Sequence, residues 1–134
     1  MRGGSPVSTG AQDPMGDLFN SECPGRVILE HITSRWATLI LAALRCGPLR
    51  FFELREKIGG ISEKMLSQNL RTLVRDGLIS RTVEPYTPPR VSYELTDLGR
   101  GLTRPLQQLV RWISVNGDEI LAAQDRYDQQ NAER

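Results

Sequence analysis

Lys64, Gln68, Arg71 and Arg75 recur at intervals of four, three and four residues, with Ser67 beside them. On a helix that spacing puts the four long side chains along one side. Arginine presents a planar fork of donors that matches a phosphate or the major-groove edge of guanine. Glutamine pairs bidentately with adenine, and lysine and serine commonly reach phosphates. Over Glu63 to Asp76 the only acids are those two end residues. A solvated helix face usually mixes both signs, whereas this one carries cations and amides, a surface suited to a polyanion.

The other reactive side chains are few. Cys23 precedes Pro24, where free backbone N–H groups and the positive end of a helix dipole favour a thiolate. Arg26 supports that reading and Glu22 opposes it. The alternative is that Cys23 is a small residue filling a helix start. Cys46 is expected to be a small buried hydrophobe. Two cysteines make no disulfide framework, and they lack the paired spacing of a zinc site. His31, the one histidine, supports no two-histidine metal motif and reads as a surface or interface group. No acid-base couple for an enzyme is evident.

The elements that must hold these groups follow from the pattern. With 134 residues, 39% hydrophobic and 25% charged, the chain suits one folded domain. No apolar run nears the roughly 18 residues of a membrane helix, and no secretory segment is apparent, so a cytoplasmic protein is expected. Residues 1–19 are rich in Gly, Ser and Pro and predict a disordered leader or tail. The opening MRGGS resembles an expression leader, with Met15 available as a natural start. The folded domain is expected over 20–134.

Pro24 opens a first helix offering Val27, Ile28 and Ile32 for burial. Thr33 or Ser34 caps a second, SRWATLILAALR, which Gly47-Pro48 ends. A short extended piece around Leu49 leads into a third helix, with Leu54 and Ile58 inward. Gly59-Gly60 breaks it, Ile61 is expected to be buried, and Ser62 caps the helix carrying the cationic face. Its apolar stripe is Met65, Leu66, Leu70, Leu73 and Val74. Two alternating strands, LISRTVE and RVSYELT, follow across the loop PYTPP. Thr96 caps a long helix from Asp97 to about Ser114, and a last helix runs from Asp118 to about Gln130. Trp36 and Trp112 read as core or dimer-interface aromatics.

Helix, glycine turn, helix and hairpin in that order predict a mainly α fold with a small β-hairpin, a winged helix-turn-helix. Charge is distributed to match. Glu22 to Val115 holds fourteen Lys or Arg against nine acids, while Asn116 to Arg134 holds two against five. The candidate DNA-binding set is Ser62, Lys64, Ser67, Gln68, Arg71 and Arg75 on the reading helix, with Arg81 and Arg90 on the wing. Double-stranded DNA is the partner this set implies.

The span from Cys23 to Gly99 resembles the HxlR family of bacterial winged-helix regulators. The resemblance rests on Cys23-Pro24, the Trp36 helix, Gly47-Pro48 before Arg50-Phe51, and Gly60-Ile61-Ser62 with Lys64-Met65-Leu66. It continues through Asp76-Gly77-Leu78, Pro88-Pro89-Arg90-Val91, Tyr93 and Leu95-Thr96. Phe52 and Cys46 depart from the family's usual residues. The resemblance implies a homodimer whose first and last helices form the interface, each reading helix entering half of a near-palindromic operator. In some members it implies a thiol sensor at the position of Cys23 that answers to oxidants or electrophiles, and no cofactor is expected from the residues themselves. The competing function is a winged-helix protein-interaction module, in which aromatics or leucines would replace the Lys, Gln and Arg of the exposed face.

Overall fold

The computed structural model describes residues 16–132. Of the segment expected to lack structure, residues 1–15 lie outside the described residues. Gly16–Phe19 form a short 3-10 turn, held where Arg26 Nη1 donates to the carbonyls of Leu18 and Phe19, both at 3.3 Å.

Helix α1 (Pro24–Thr33) begins at its proline, as the missing N–H of that residue allows. Ser34 separates it from α2 (Arg35–Ala43) and caps α2 by accepting the Ala37 amide. Ile40, Leu41 and Leu44 are fully buried, which makes α2 and the 3-10 turn after it the centre of the core. Strand β1 (Leu49–Arg50) leads directly into α3 (Phe51–Lys57), and Leu54 and Ile58 face inward as their spacing predicts. Helix α4 (Glu63–Arg75) starts at Ser62, whose Oγ accepts the Met65 amide at 3.1 Å. It buries Leu66, Leu70 and Leu73 against α2. Val74, expected in that stripe, is exposed at its edge.

The end of α4 is a two-bond glycine stop. Gly77 takes φ 78°, and the amides of Gly77 and Leu78 donate to the carbonyls of Val74 and Leu73. Leu73 and Leu78 are both buried at this stop, so the same residues that end the helix seal the core beneath the wing.

The wing is β2 (Ile79–Glu84) and β3 (Arg90–Leu95), antiparallel with Ile79 opposite Leu95 and Glu84 opposite Arg90. The expected hairpin is part of a three-stranded sheet, because β1 pairs antiparallel with the outer edge of β3, Leu49 opposite Tyr93. Two extended residues have too little periodicity to announce a strand; the edge of β3 supplies the missing partner.

The C-terminal region departs from the two long helices that the spacing predicts. Helix α5 (Asp97–Arg100) is one turn, capped by Thr96, and α6 (Thr103–Ala132) then runs unbroken for 30 residues. Pro105 explains the first difference. In a helix continuing from Asp97 its ring would strike the Gly101 carbonyl and it would have no N–H to bond there, whereas near the start of a new helix it costs nothing. The unbroken run past Gly117 has the opposite cause. One interior glycine costs a helix only about 1 kcal/mol, and Asn116 Nδ2 donates to the Trp112 carbonyl at 2.9 Å instead of breaking the turn. Leu102 and Leu106 pack on the core, while Leu109, Ile113, Ile120 and Tyr127 continue the stripe into solvent.

Candidate nucleic-acid interface

Lys64, Gln68, Arg71 and Arg75 are all exposed on α4 and lie within one narrow sector of it, opposite the buried leucines. Ser67 is half-buried at the margin of that sector. Ser62 is occupied as the cap, so its contribution to the face is to begin the helix at the right residue. The acid in the first turn is countered from the preceding helix: Arg55 Nη1 lies 3.2 Å from Glu63 Oε2. Arg55 was not among the candidate residues, although its position four residues before Gly59 on a neighbouring helix gives no periodic signal of such a role.

The wing brings one of its two arginines to this face. Ser67, Leu70, Arg71, Val74, Arg81 and Tyr93 line a shallow notch of about 230 Å³ between α4 and the sheet. Arg71 and Arg81 therefore border the same recess, with Tyr93 opposite Arg81 across the strands. Exposed Val74 belongs to this recess, which accounts for its departure from the core. Arg90 sits elsewhere. Strand alternation places it with Thr82 and Ser92 on the reverse face of the hairpin from Arg81. Its guanidinium stacks over the Tyr86 ring at 4.4 Å from the centroid, in a tip that is exposed throughout residues 81–90. Tyr86 is a second residue that periodicity does not reveal, since a loop aromatic declares its partner only when the loop folds back.

Behind the interface, His31 of α1 meets Asp76 at the end of α4. Nδ1 and Oδ2 are 2.7 Å apart, and both side chains are partly buried. A carboxylate accepts only, so Nδ1 carries the proton in this contact. His31 is thereby a strut between the first helix and the reading helix.

Of the two cysteines, Cys46 departs from its expected burial. Cys46 is exposed beside Gly47, because the 3-10 turn ending α2 rotates it away from the core. Cys23 heads α1 as expected but is only 8% exposed. Arg26, its expected electrostatic support, is committed to Glu30 and to the carbonyls of the Gly16–Phe19 turn. Among the described residues no cluster of three His, Cys, Asp or Glu side chains forms.

A capped, acid-countered helix set beside a basic sheet is the DNA-reading unit of a winged helix-turn-helix transcription regulator. The chain belongs to the HxlR-like helix-turn-helix family, whose model matches residues 31–120. It is 49% identical over 121 residues to the HTH-type transcriptional regulator YtfH of Escherichia coli (strain K12), covering 90% of this chain and 96% of that one. It is also similar to the structure of the transcriptional regulator ytfH from Salmonella typhimurium. That match has a TM-score of 0.75 and 47% identity, and covers 81% of this chain and 96% of that one. The redox regulator HypR in its oxidized form is a further structural relative, with a TM-score of 0.66 and 34% identity over 70% of this chain and 97% of that one.

Proposed function

We propose that this chain acts as a homodimer that binds a near-palindromic operator and regulates transcription from it in the cytoplasm. The observation that carries the reading is the α4 face: four exposed basic or amide side chains in one sector, its lone first-turn acid paired to Arg55, and Arg81 beside it. Lys64 and Ser67 hold phosphates, Gln68 and Arg71 meet base edges, and Arg75 and Arg81 flank the groove. Arg90, carried on Tyr86 at the wing tip, reaches the adjacent backbone or minor groove. Among the described residues no single helix is long and apolar enough to cross a membrane.

Two features support the dimer. Val27, Ile28 and Leu29 of α1 are exposed, and only Ile32 of that helix packs on the core. The Leu109, Ile113, Ile120 and Tyr127 stripe of α6 likewise has no cover among the described residues. A second copy covers both, and a twofold pair places its two reading helices about 34 Å apart, one turn of DNA. Selection of bound sequences from a random duplex pool is expected to return an inverted repeat. Sedimentation is expected to show a dimer at micromolar concentration, weakened at least tenfold when the chain is ended at Val115. Recovery of unrelated sequences sinks the regulator reading, and a purely monomeric species sinks the paired geometry.

The head of α1 is proposed as the thiol-responsive point, supported by the redox relative and by the place of Cys23 beside the exposed α1 face. Exposed Cys46 is expected to add to a benzoquinone first and buried Cys23 at least tenfold more slowly. Operator affinity is expected to change with the Cys23 adduct in a Cys46→Ser background and to stay constant in Cys23→Ser. Equal changes in both variants would remove Cys23 from the mechanism.

A further inference from the structure

A groove of about 530 Å³ runs between α2 and the first half of α6. Its apolar lining is Leu41, Leu106 and the exposed Val110, and its rim carries Arg45 and Arg111 together with Gln107. Among the described residues no acid lines it. Arg45 is steadied from its own turn, where Nη1 donates to the Ala42 carbonyl at 2.9 Å, which leaves its remaining N–H groups for a ligand. Neither arginine makes an ion pair among the described residues.

We infer that this groove binds an amphipathic organic anion, a flat apolar body bearing one carboxylate, as the effector of the regulator. The volume falls within the several hundred Å³ usual for small-ligand sites, and such sites pair an apolar lining with a few placed polar groups. Two guanidinium groups beside an apolar lining match a carboxylate at one end of an apolar body; a neutral molecule of the same shape would forgo that pairing. A second copy is the other conceivable occupant, and the geometry of α6 argues against it. At about 100° per residue, Thr103, Gln107, Arg111 and Ser114 lie roughly a third of a turn around the helix from the Leu109, Ile113, Ile120 and Tyr127 stripe. The polar rim of the groove thus turns away from the apolar stripe that calls for a partner helix, with Leu106 and Val110 lying between the two.

The location gives binding a consequence. Helix α2 packs against the reading helix α4, and α6 carries the uncovered stripe. A ligand held between α2 and α6 sets the angle between the reading helix and the pairing helix, and with it the spacing of the two half-site readers.

This inference rests on the regulator reading for its consequence but not for binding, and the test separates them. Calorimetry of the full-length protein with 2-naphthoate is expected to show binding, with 2-naphthalenemethanol at least tenfold weaker. The double variant Arg45→Gln/Arg111→Gln is expected to lose at least tenfold for the acid and to bind the alcohol as before. Ala42→Trp fills the groove from α2 and Gln107→Trp from exposed α6, so at least one folded blocked variant is available, and it should bind neither compound. In the wild type 2-naphthoate is expected to shift operator affinity at least threefold, and in the blocked variants to leave it unchanged. Equal binding of acid and alcohol overturns the anion site. So does failure of 2-naphthoate to bind the dimer while a blocked variant sediments as monomer, which would assign the groove to the second copy. Binding with no shift in operator affinity overturns the effector role, and absence of operator binding without any ligand overturns the regulator reading itself while leaving the calorimetry to stand on its own.

Discussion

Joint replacement of Lys64, Gln68 and Arg71 by alanine is expected to lower operator affinity at least about a hundredfold while the protein stays folded. A good bidentate base contact contributes roughly 1–3 kcal/mol, and a phosphate contact adds to it, so three losses together exceed the roughly 2.7 kcal/mol that a hundredfold change requires. Folding is expected to survive because all three side chains are exposed, alanine is a strong helix former, and the Ser62 cap and buried leucines are untouched. The single variants distinguish the roles. Gln68→Ala and Arg71→Ala relax the preference at one operator position each, whereas Lys64→Ala weakens all sequences alike and reduces the salt slope by about one. Arg71 borders the same recess as Arg81, so Arg71→Ala and Arg81→Ala are expected to be non-additive, as neighbours sharing one phosphate or base would be. Fluorescence anisotropy over a salt series measures all of these. Wild-type affinity in a folded triple variant would remove α4 from the interface.

The largest expected loss of stability falls at Gly99. A Cβ there would stand 2.0 Å from the Leu78 carbonyl oxygen and 3.0 Å from its carbon, and both are backbone atoms at the base of the wing. That carbonyl already accepts the Thr96 amide at 3.1 Å, and Thr96 Oγ1 donates to the Gly77 carbonyl while accepting the Gly99 amide. The network joins the stop of α4, the start of the wing and the cap of α5 in one place, so the intruding methyl cannot be relieved by moving a flexible side chain. Gly99→Ala is expected to cost about 3 kcal/mol or more, at or above the upper end for overpacking, and to lower Tm by roughly 10 °C. Gly117→Ala is the control: its Cβ would meet nothing within 4 Å, and replacing a mid-helix glycine should raise stability by up to about 1 kcal/mol. Thermal unfolding that ranked the two substitutions the other way would contradict the packing at the wing base.

The four helices before the wing were largely readable from the chain because their signals are local. Ser34 and Ser62 are caps, Gly60 and Gly77 stand where φ must be positive, and Leu66, Leu70 and Leu73 repeat with the period of a helix. The same periodicity that buries those leucines turns Lys64, Gln68, Arg71 and Arg75 outward, so the reading face came with the helix. What failed was also physical. Pro105 divided a helix whose apolar spacing runs through it, and Gly117 did not divide one although its composition suggested a break. In the first case one backbone restriction outweighed the apolar pattern, and in the second one glycine was too weak to interrupt it.

Local sequence thus determined where most elements begin and end, which side of α4 is cationic, and the family to which the chain belongs. Tertiary structure alone decided that β1 completes a sheet, that Arg81 joins the reading helix while Arg90 turns to Tyr86, that Arg55 counters Glu63, and that His31 braces Asp76. It also decided that Cys46 is exposed and Cys23 buried, and that a groove rimmed by Arg45 and Arg111 opens between α2 and α6. The division has one cause. Capping, turn chemistry and helical period act over three or four residues and are written in the order of the chain, whereas a contact between residues 45 apart, such as His31 and Asp76, exists only after packing has chosen how the helices cross.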